Sequence, residues 1–160
     1  MSMTTLTSIA VDEQLWFLDT LVIIRVAHDA GEDGISVTEW VAPFGDSPPL
    51  HVHHNEDEVF QVLDGELRVR SGDAERVVRP GDVFLAPKGI PHTYRVISPQ
   101  ARFLVTTTHG DFEGLVRAVS RPAEGARLPV PSGPPTDAQV GELAAICAAH
   151  GIDLVGPPLG

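Results

Sequence analysis

Residues 51–60 read HVHHNEDEVF, three histidines and three carboxylates in ten positions. What such a cluster can do depends on the backbone beneath it. In a helix, positions two apart point about 200° around the axis and diverge, whereas in a strand they share one face with Cα atoms ~7 Å apart. A strand therefore lets His51 and His53 converge on one point and turns His54 outward. Glu58 has the wrong parity for that same strand, but the intervening HNED is turn-like and can reset the register. A new strand from Glu58 places Glu58, Phe60 and Val62 on one face. Glu56 and Asp57 then read as a solvated turn, although one of them could orient a histidine from behind.

The surrounding sequence favours strands. From Leu21 to Thr108, short runs such as LVIIRVA, ISVTEWVA, EVFQVL, ELRVR and ARFLVTTT alternate with HDAGEDG, FGDSPP, SGDA, PGD and PKGIP, rich in the residues that open and close turns. Repeated short strands at this spacing indicate an all-β sandwich or barrel. Asp64-Gly65 reads as a type I′ hairpin turn between two of them. A second histidine follows the tight turns at Gly81, Pro87, Gly89 and Pro91: His92 opens a strand whose same-face neighbours are Tyr94 and Val96. Three histidines and one carboxylate suit Zn, Fe, Mn, Ni or Co and leave coordination positions open. By spacing alone, a metal site and a set of surface histidines around a loop remain equally open.

After Gly110 the period changes. Phe112, Leu115, Val116 and Val119 lie on one face of a helix that Pro122 should end. A Pro-rich connector, LPVPSGPP, leads to Thr136 and Gln139 at capping-box spacing, then to Val140, Leu143, Ala144 and Cys147 on one helical face. Both helices are expected to pack outside the β unit, with Cys147 as a small buried hydrophobe. The chain divides into an N-terminal arm over 1–20, a β-barrel over 21–109 and a helical extension over 110–160.

With 160 residues, 42% hydrophobic and 21% charged, the chain has the composition of one ordinary folded domain. A formal net charge of -11 without a Lys/Arg cluster argues against nucleic-acid and anionic-membrane partners and for a small-molecule one. No apolar run reaches the ~18 residues of a membrane span. A single cysteine rules out an internal disulfide, and the first residues lack a basic n-region and an apolar h-region, so the expected location is cytoplasmic. No GxSxG, GxGxxG or Walker-type loop occurs, which removes the usual serine-hydrolase and nucleotide readings.

The two histidine segments resemble the two motifs of the cupin superfamily. Gly45, His51, His53, Glu58 and Gly65 fit every fixed position of the first; Gly81, Pro87, Gly89 and His92 fit the second, with Val96 where an Asn is usual. Nearly the whole chain is similar to single-domain bacterial cupins often grouped with quercetin 2,3-dioxygenase. The resemblance implies a small antiparallel, jelly-roll-like β-barrel that holds one divalent metal (Fe, Mn, Ni or Zn) on His51, His53, Glu58 and His92. It also implies a homodimer, to which residues 15–27, LWFLDTLVIIRVA, could contribute an interface strand. Glu58, the ligand able to take a proton while loosening from the metal, is the candidate general base. By parity Phe60, Val62, Tyr94 and Val96 would wall the substrate pocket, with Trp40 and Phe103 added. Such walls suit a planar, hydrophobic, enolic or hydroxylated aromatic substrate, and the leading expectation is a dioxygenase. A non-redox cyclase, isomerase or decarboxylase at the same metal, or a ligand-binding cupin without turnover, are the alternatives.

Overall fold

The structure, a computed structural model, describes residues 13–160. Residues 1–12 of the expected N-terminal arm lie outside the described residues. In chain order the strands are β1 Glu13–Phe17, β2 Thr20–Val26, β3 Ile35–Pro43, β4 Pro49–His53, β5 Glu58–Asp64, β6 Leu67–Ser71, β7 Ala74–Val78, β8 Val83–Ala86, β9 His92–Val96 and β10 Gln100–Thr108. They are followed by helix α1 Asp111–Val119, the short β11 Arg121–Pro122, helix α2 Asp137–Ala149 and β12 Ile152–Pro158.

The strands form two antiparallel sheets, one in the order β11-β1-β2-β3-β10-β5-β8 and the other β12-β4-β9-β6-β7. Alternation builds the core: on β5 Glu58, Phe60 and Val62 are buried while Val59 and Gln61 are exposed. The inward residues of both sheets, among them Val22, Phe60 and Phe103 from one and Leu67, Val69 and Val96 from the other, share one apolar cluster. The sheets meet through these side chains and not through a closed hydrogen-bond ladder. The expected barrel is thus a jelly-roll-like pair of packed sheets.

Asp64-Gly65 is not a hairpin turn. β5 pairs with β10 and β8, whereas β6 pairs with β7 and β9, so these two residues carry the chain from one sheet to the other. Gly65 has φ +78° there, and a Cβ on it would lie 2.3 Å from the Gln100 carbonyl oxygen and 2.8 Å from the Ala101 Cα. Close backbone approach, and not type I′ geometry, is why glycine stands at this position.

Both expected helices form, and Thr136 and Gln139 cap α2 reciprocally. Helix α1 buries Leu115 and Val116, and with them Glu113. The Glu113 carboxylate accepts from the Ser36 hydroxyl at 2.6 Å, the His28 backbone N–H at 2.8 Å and Arg117 Nε at 3.0 Å, tying α1 to the strands. On α2, Cys147 is buried but Val140 is 43% exposed, because the middle of this helix faces a cavity instead of the sheet exterior. The segment after α2 is a strand that sequence spacing does not disclose. β12 pairs with β4, placing Ile152 opposite His53 and Leu154 opposite His51. Pro157 and Pro158 read as strand breakers, but β12 is an edge strand, where proline is tolerated. No helix among the described residues is long and apolar enough to cross a membrane.

Candidate metal centre

His51 and His53 leave β4 on the same face, and antiparallel pairing sets His92, the first residue of β9, directly opposite His51. Glu58, the first residue of β5, approaches from the other sheet. The turn between His53 and Glu58 is pinned from three sides. His54 N–H donates to the Gly151 carbonyl at 2.9 Å, Gly89 N–H to the His53 carbonyl at 2.8 Å and Lys88 N–H to the Asp57 carboxylate at 2.8 Å.

One ligand atom from each of His51, His53, Glu58 and His92 falls within 4.8 Å of all the others. Glu58 Oε2 is 2.6 Å from His92 Nε2 and 3.1 Å from His53 Nε2. These separations are short, yet Nε2 of both histidines and Oε2 of Glu58 lack a properly directed hydrogen-bond partner. Buried polar atoms seldom go unpartnered. Imidazole nitrogens and a carboxylate oxygen that converge this closely on one point are the donor arrangement a divalent cation satisfies.

The outer nitrogens fit the same reading. His51 Nδ1 lies 2.7 Å from the Pro49 carbonyl and His92 Nδ1 3.5 Å from the Ile90 carbonyl, so an Nδ1–H tautomer in each turns the Nε2 lone pair inward. Behind His53, Glu56 Oε1 is 4.0 Å from Nδ1. Glu56 therefore does not belong to a solvated turn: it is 1% exposed, accepts the Phe112 backbone N–H, and burial pushes its carboxyl up to about 7. Asp57 and His54 do face outward, His54 pairing with Asp153 at 2.8 Å.

The electrostatics follow from burial and crowding. Burial, with the neighbouring His92 and His53 against it, brings His51 down to about 4, so its imidazole is neutral and free to ligate. Burial acts to raise Glu58, but the three imidazoles around it outweigh that and hold it at about 2. Glu58 is thus a fixed negative charge; burial shifts His53 down as it does His51, whereas His92, although burial acts against it, is shifted up by its contact with Glu58.

Three of the four residues, His51, His53 and Glu58, stand in the wall of a cavity of about 620 Å³. Trp40, Phe60, Tyr94 and Phe103 line it as well, whereas Val62 and Val96, placed there by parity, do not. Both valines have the expected facing but sit farther along their strands, fully enclosed in the core. Parity gives the face and not the depth. Sequence spacing gave no sign of three further contributors: Phe112 of α1, whose ring centroid is 5.7 Å from that of Trp40; the apolar face of α2; and Asp46 in the turn after β3. Asp46 accepts from the Tyr94 hydroxyl at 3.3 Å, and burial raises its carboxyl to about 6. A hollow of about 400 Å³ beside β7 and β8 contains none of the four candidate ligands.

A family model described as Cupin domain matches residues 38–107, the span that carries all four. The chain is similar to quercetin 2,3-dioxygenase of Bacillus subtilis (strain 168), with 34% identity over 85 residues, 53% of this chain and 25% of that protein. It is also similar to oxalate oxidase 1 of Hordeum vulgare, 32% identical over 83 residues, 47% of this chain and 41% of that one. The chain thus spans less than half the length of these relatives. Among solved structures, the polyketide cyclase RemF from Streptomyces resistomycificus superposes with a TM-score of 0.53 at 24% identity, covering 67% of this chain and 80% of that one. At that identity the likeness is one of fold.

Proposed function

We propose that this chain, a cupin-superfamily protein, holds one divalent metal ion on His51, His53, Glu58 and His92 and acts as a dioxygenase on a small, hydrophobic enolic or hydroxylated aromatic molecule. One observation carries the reading: four donor atoms converge, three of them without a hydrogen-bond partner, and three of the four residues stand in the wall of an aromatic cavity. Iron, manganese or nickel bound there would supply Lewis acidity toward a ligand oxygen together with access to redox chemistry.

The chain's own residues supply the rest. Backbone carbonyls at Pro49 and Ile90 orient the rings of His51 and His92. Glu58, the carboxylate of the set, accepts the proton of an acidic ligand hydroxyl and returns it to the product. Its position inside the cavity wall keeps that transfer away from bulk water. Trp40, Phe60 and Phe112 give the cavity an aromatic lining that suits a planar ligand, and 620 Å³ lies within the usual range for small-molecule sites.

Oxygen consumption tests the proposal. With flavonols and other enolic aromatics, the metal-loaded protein should consume oxygen in proportion to the substrate lost, and Glu58→Gln should slow this by about 100-fold. Product formation without oxygen uptake would instead favour a non-redox cyclase, isomerase or decarboxylase. Saturable binding without turnover would leave a ligand-binding protein.

A further inference from the structure

Asp46 lines the same cavity as the candidate metal centre but belongs to neither the ligand set nor the scaffold. The turn that holds it is built by the backbone. Asp46 N–H donates to the Pro43 carbonyl at 3.1 Å, and its carbonyl accepts the Val96 N–H at 2.9 Å. Its carboxylate caps nothing. The hydrogen bond it accepts is the long one from Tyr94, 3.3 Å, and among the described residues no Lys, Arg or His forms an ion pair with it. The one neighbouring charge that bears on it, Asp19, has the same sign.

A carboxylate has about four acceptor sites, and one bond from a tyrosine leaves most of them free. Asp46 is half-buried in the cavity wall without a counter-charge, so a ligand that covers it must bring a donor or leave it unpaired. Tyr94 lies two positions beyond His92 on the same face of β9, roughly 7 Å along the strand. Its ring is fixed edge-on against Phe103 and Phe60, with centroids 5.3 and 6.3 Å away, so its hydroxyl is a positioned group. The cavity therefore carries a second polar station beside the aromatic walls, with the Asp46 carboxylate as its charged acceptor.

We propose that Asp46 and Tyr94 form a hydroxyl-reading pair: Asp46 accepts a hydrogen bond from a ligand hydroxyl, and Tyr94 positions that carboxylate, so that the site selects aromatic ligands with a second hydroxyl remote from the group presented to His51, His53 and Glu58. The inference rests on the function proposed above and narrows its ligand class. An acceptor that must be satisfied discriminates strongly against an analogue lacking the donor, because the unmatched analogue leaves the buried group unpaired.

Three probes test it: 3-hydroxyflavone, 3,7-dihydroxyflavone and 3,4′-dihydroxyflavone, titrated against the full chain with tryptophan fluorescence as the signal, since Trp40 is in the cavity wall. The parent should bind at least one dihydroxy probe roughly tenfold or more tightly than 3-hydroxyflavone. In Asp46→Asn and Tyr94→Phe that ratio should fall below about threefold, while both variants stay folded at the assay temperature with the metal content of the parent. The ratio is the readout, which a purely structural role would not move. Equal affinities in the parent, or a ratio that survives in Asp46→Asn, would overturn the hydroxyl-reading pair and leave the proposed function standing. Failure of all three probes to saturate the parent would overturn the proposed ligand class and the pair together.

Discussion

Glu58 and His92 stand on different sheets, yet Oε2 of one lies 2.6 Å from Nε2 of the other. With His51 and His53 arriving on β4, any cation held there links the two sheets through side chains from both. A ligand that binds only the folded state stabilises it by mass action, by about 2.7 kcal/mol at a hundredfold excess over Kd. Divalent metal should therefore raise the melting temperature of the parent protein and leave that of His92→Ala unchanged, as scanning calorimetry with and without a chelator would show.

Glu113 is a second polar hub, this one purely structural. Three donors from the β2–β3 region and α1 converge on a carboxylate that is 1% exposed. Removing it in Glu113→Ala strands buried donors, and urea denaturation should show a loss of roughly 2–4 kcal/mol. A loss below about 0.5 kcal/mol would mean that α1 is held by its apolar face alone.

Gly65 permits the crossing between sheets. An alanine there would need a left-handed backbone and would drive its Cβ into the Gln100 carbonyl and the Ala101 backbone. Gly65→Ala should destabilise by about 2 kcal/mol or more, whereas Gly81→Ala, also at positive φ but with open space around it, should cost about 1 kcal/mol. Comparing the two urea midpoints separates the collision from the backbone preference.

Asp46 gives stability a pH dependence of defined sign. Its folded-state value, about 6, lies above the ordinary 3.8, so the folded protein holds the proton more tightly. That contribution is fully present below about 3.8 and is lost as pH rises through about 6. Asp46→Asn has no such proton to lose. Relative to the parent, the variant should gain stability between pH 4 and pH 7 by no more than about 2 kcal/mol. A difference between the two proteins that stays flat across that range would contradict a proton-retaining Asp46.

Much of the candidate site was legible in the chain because strand periodicity is local. Two residues apart means one face, which places His51 with His53, His92 with Tyr94, and Glu58 with Phe60. What escaped depends on which strands pair. Asp64-Gly65 has a hairpin's composition, but its flanking strands join different sheets, and no local signal records that. Glu56 reads as one of several turn acids until α1, more than fifty residues later, folds back and offers it the Phe112 N–H. Val62 and Val96 have the right parity and the wrong depth, because alternation does not say where along a strand a cavity ends. Strand β12 was hidden by prolines that an edge position tolerates.

A metal ion held on His51, His53, Glu58 and His92 is the premise of the proposed chemistry. Elemental analysis of protein purified without an affinity tag or chelator, beside His51→Ala and His92→Ala, tests it most directly. About one equivalent of iron, manganese, nickel or zinc in the parent, and little in either variant, is the expected result. A parent that remains metal-free after anaerobic reconstitution, or variants that retain the parent's full equivalent, would contradict the account.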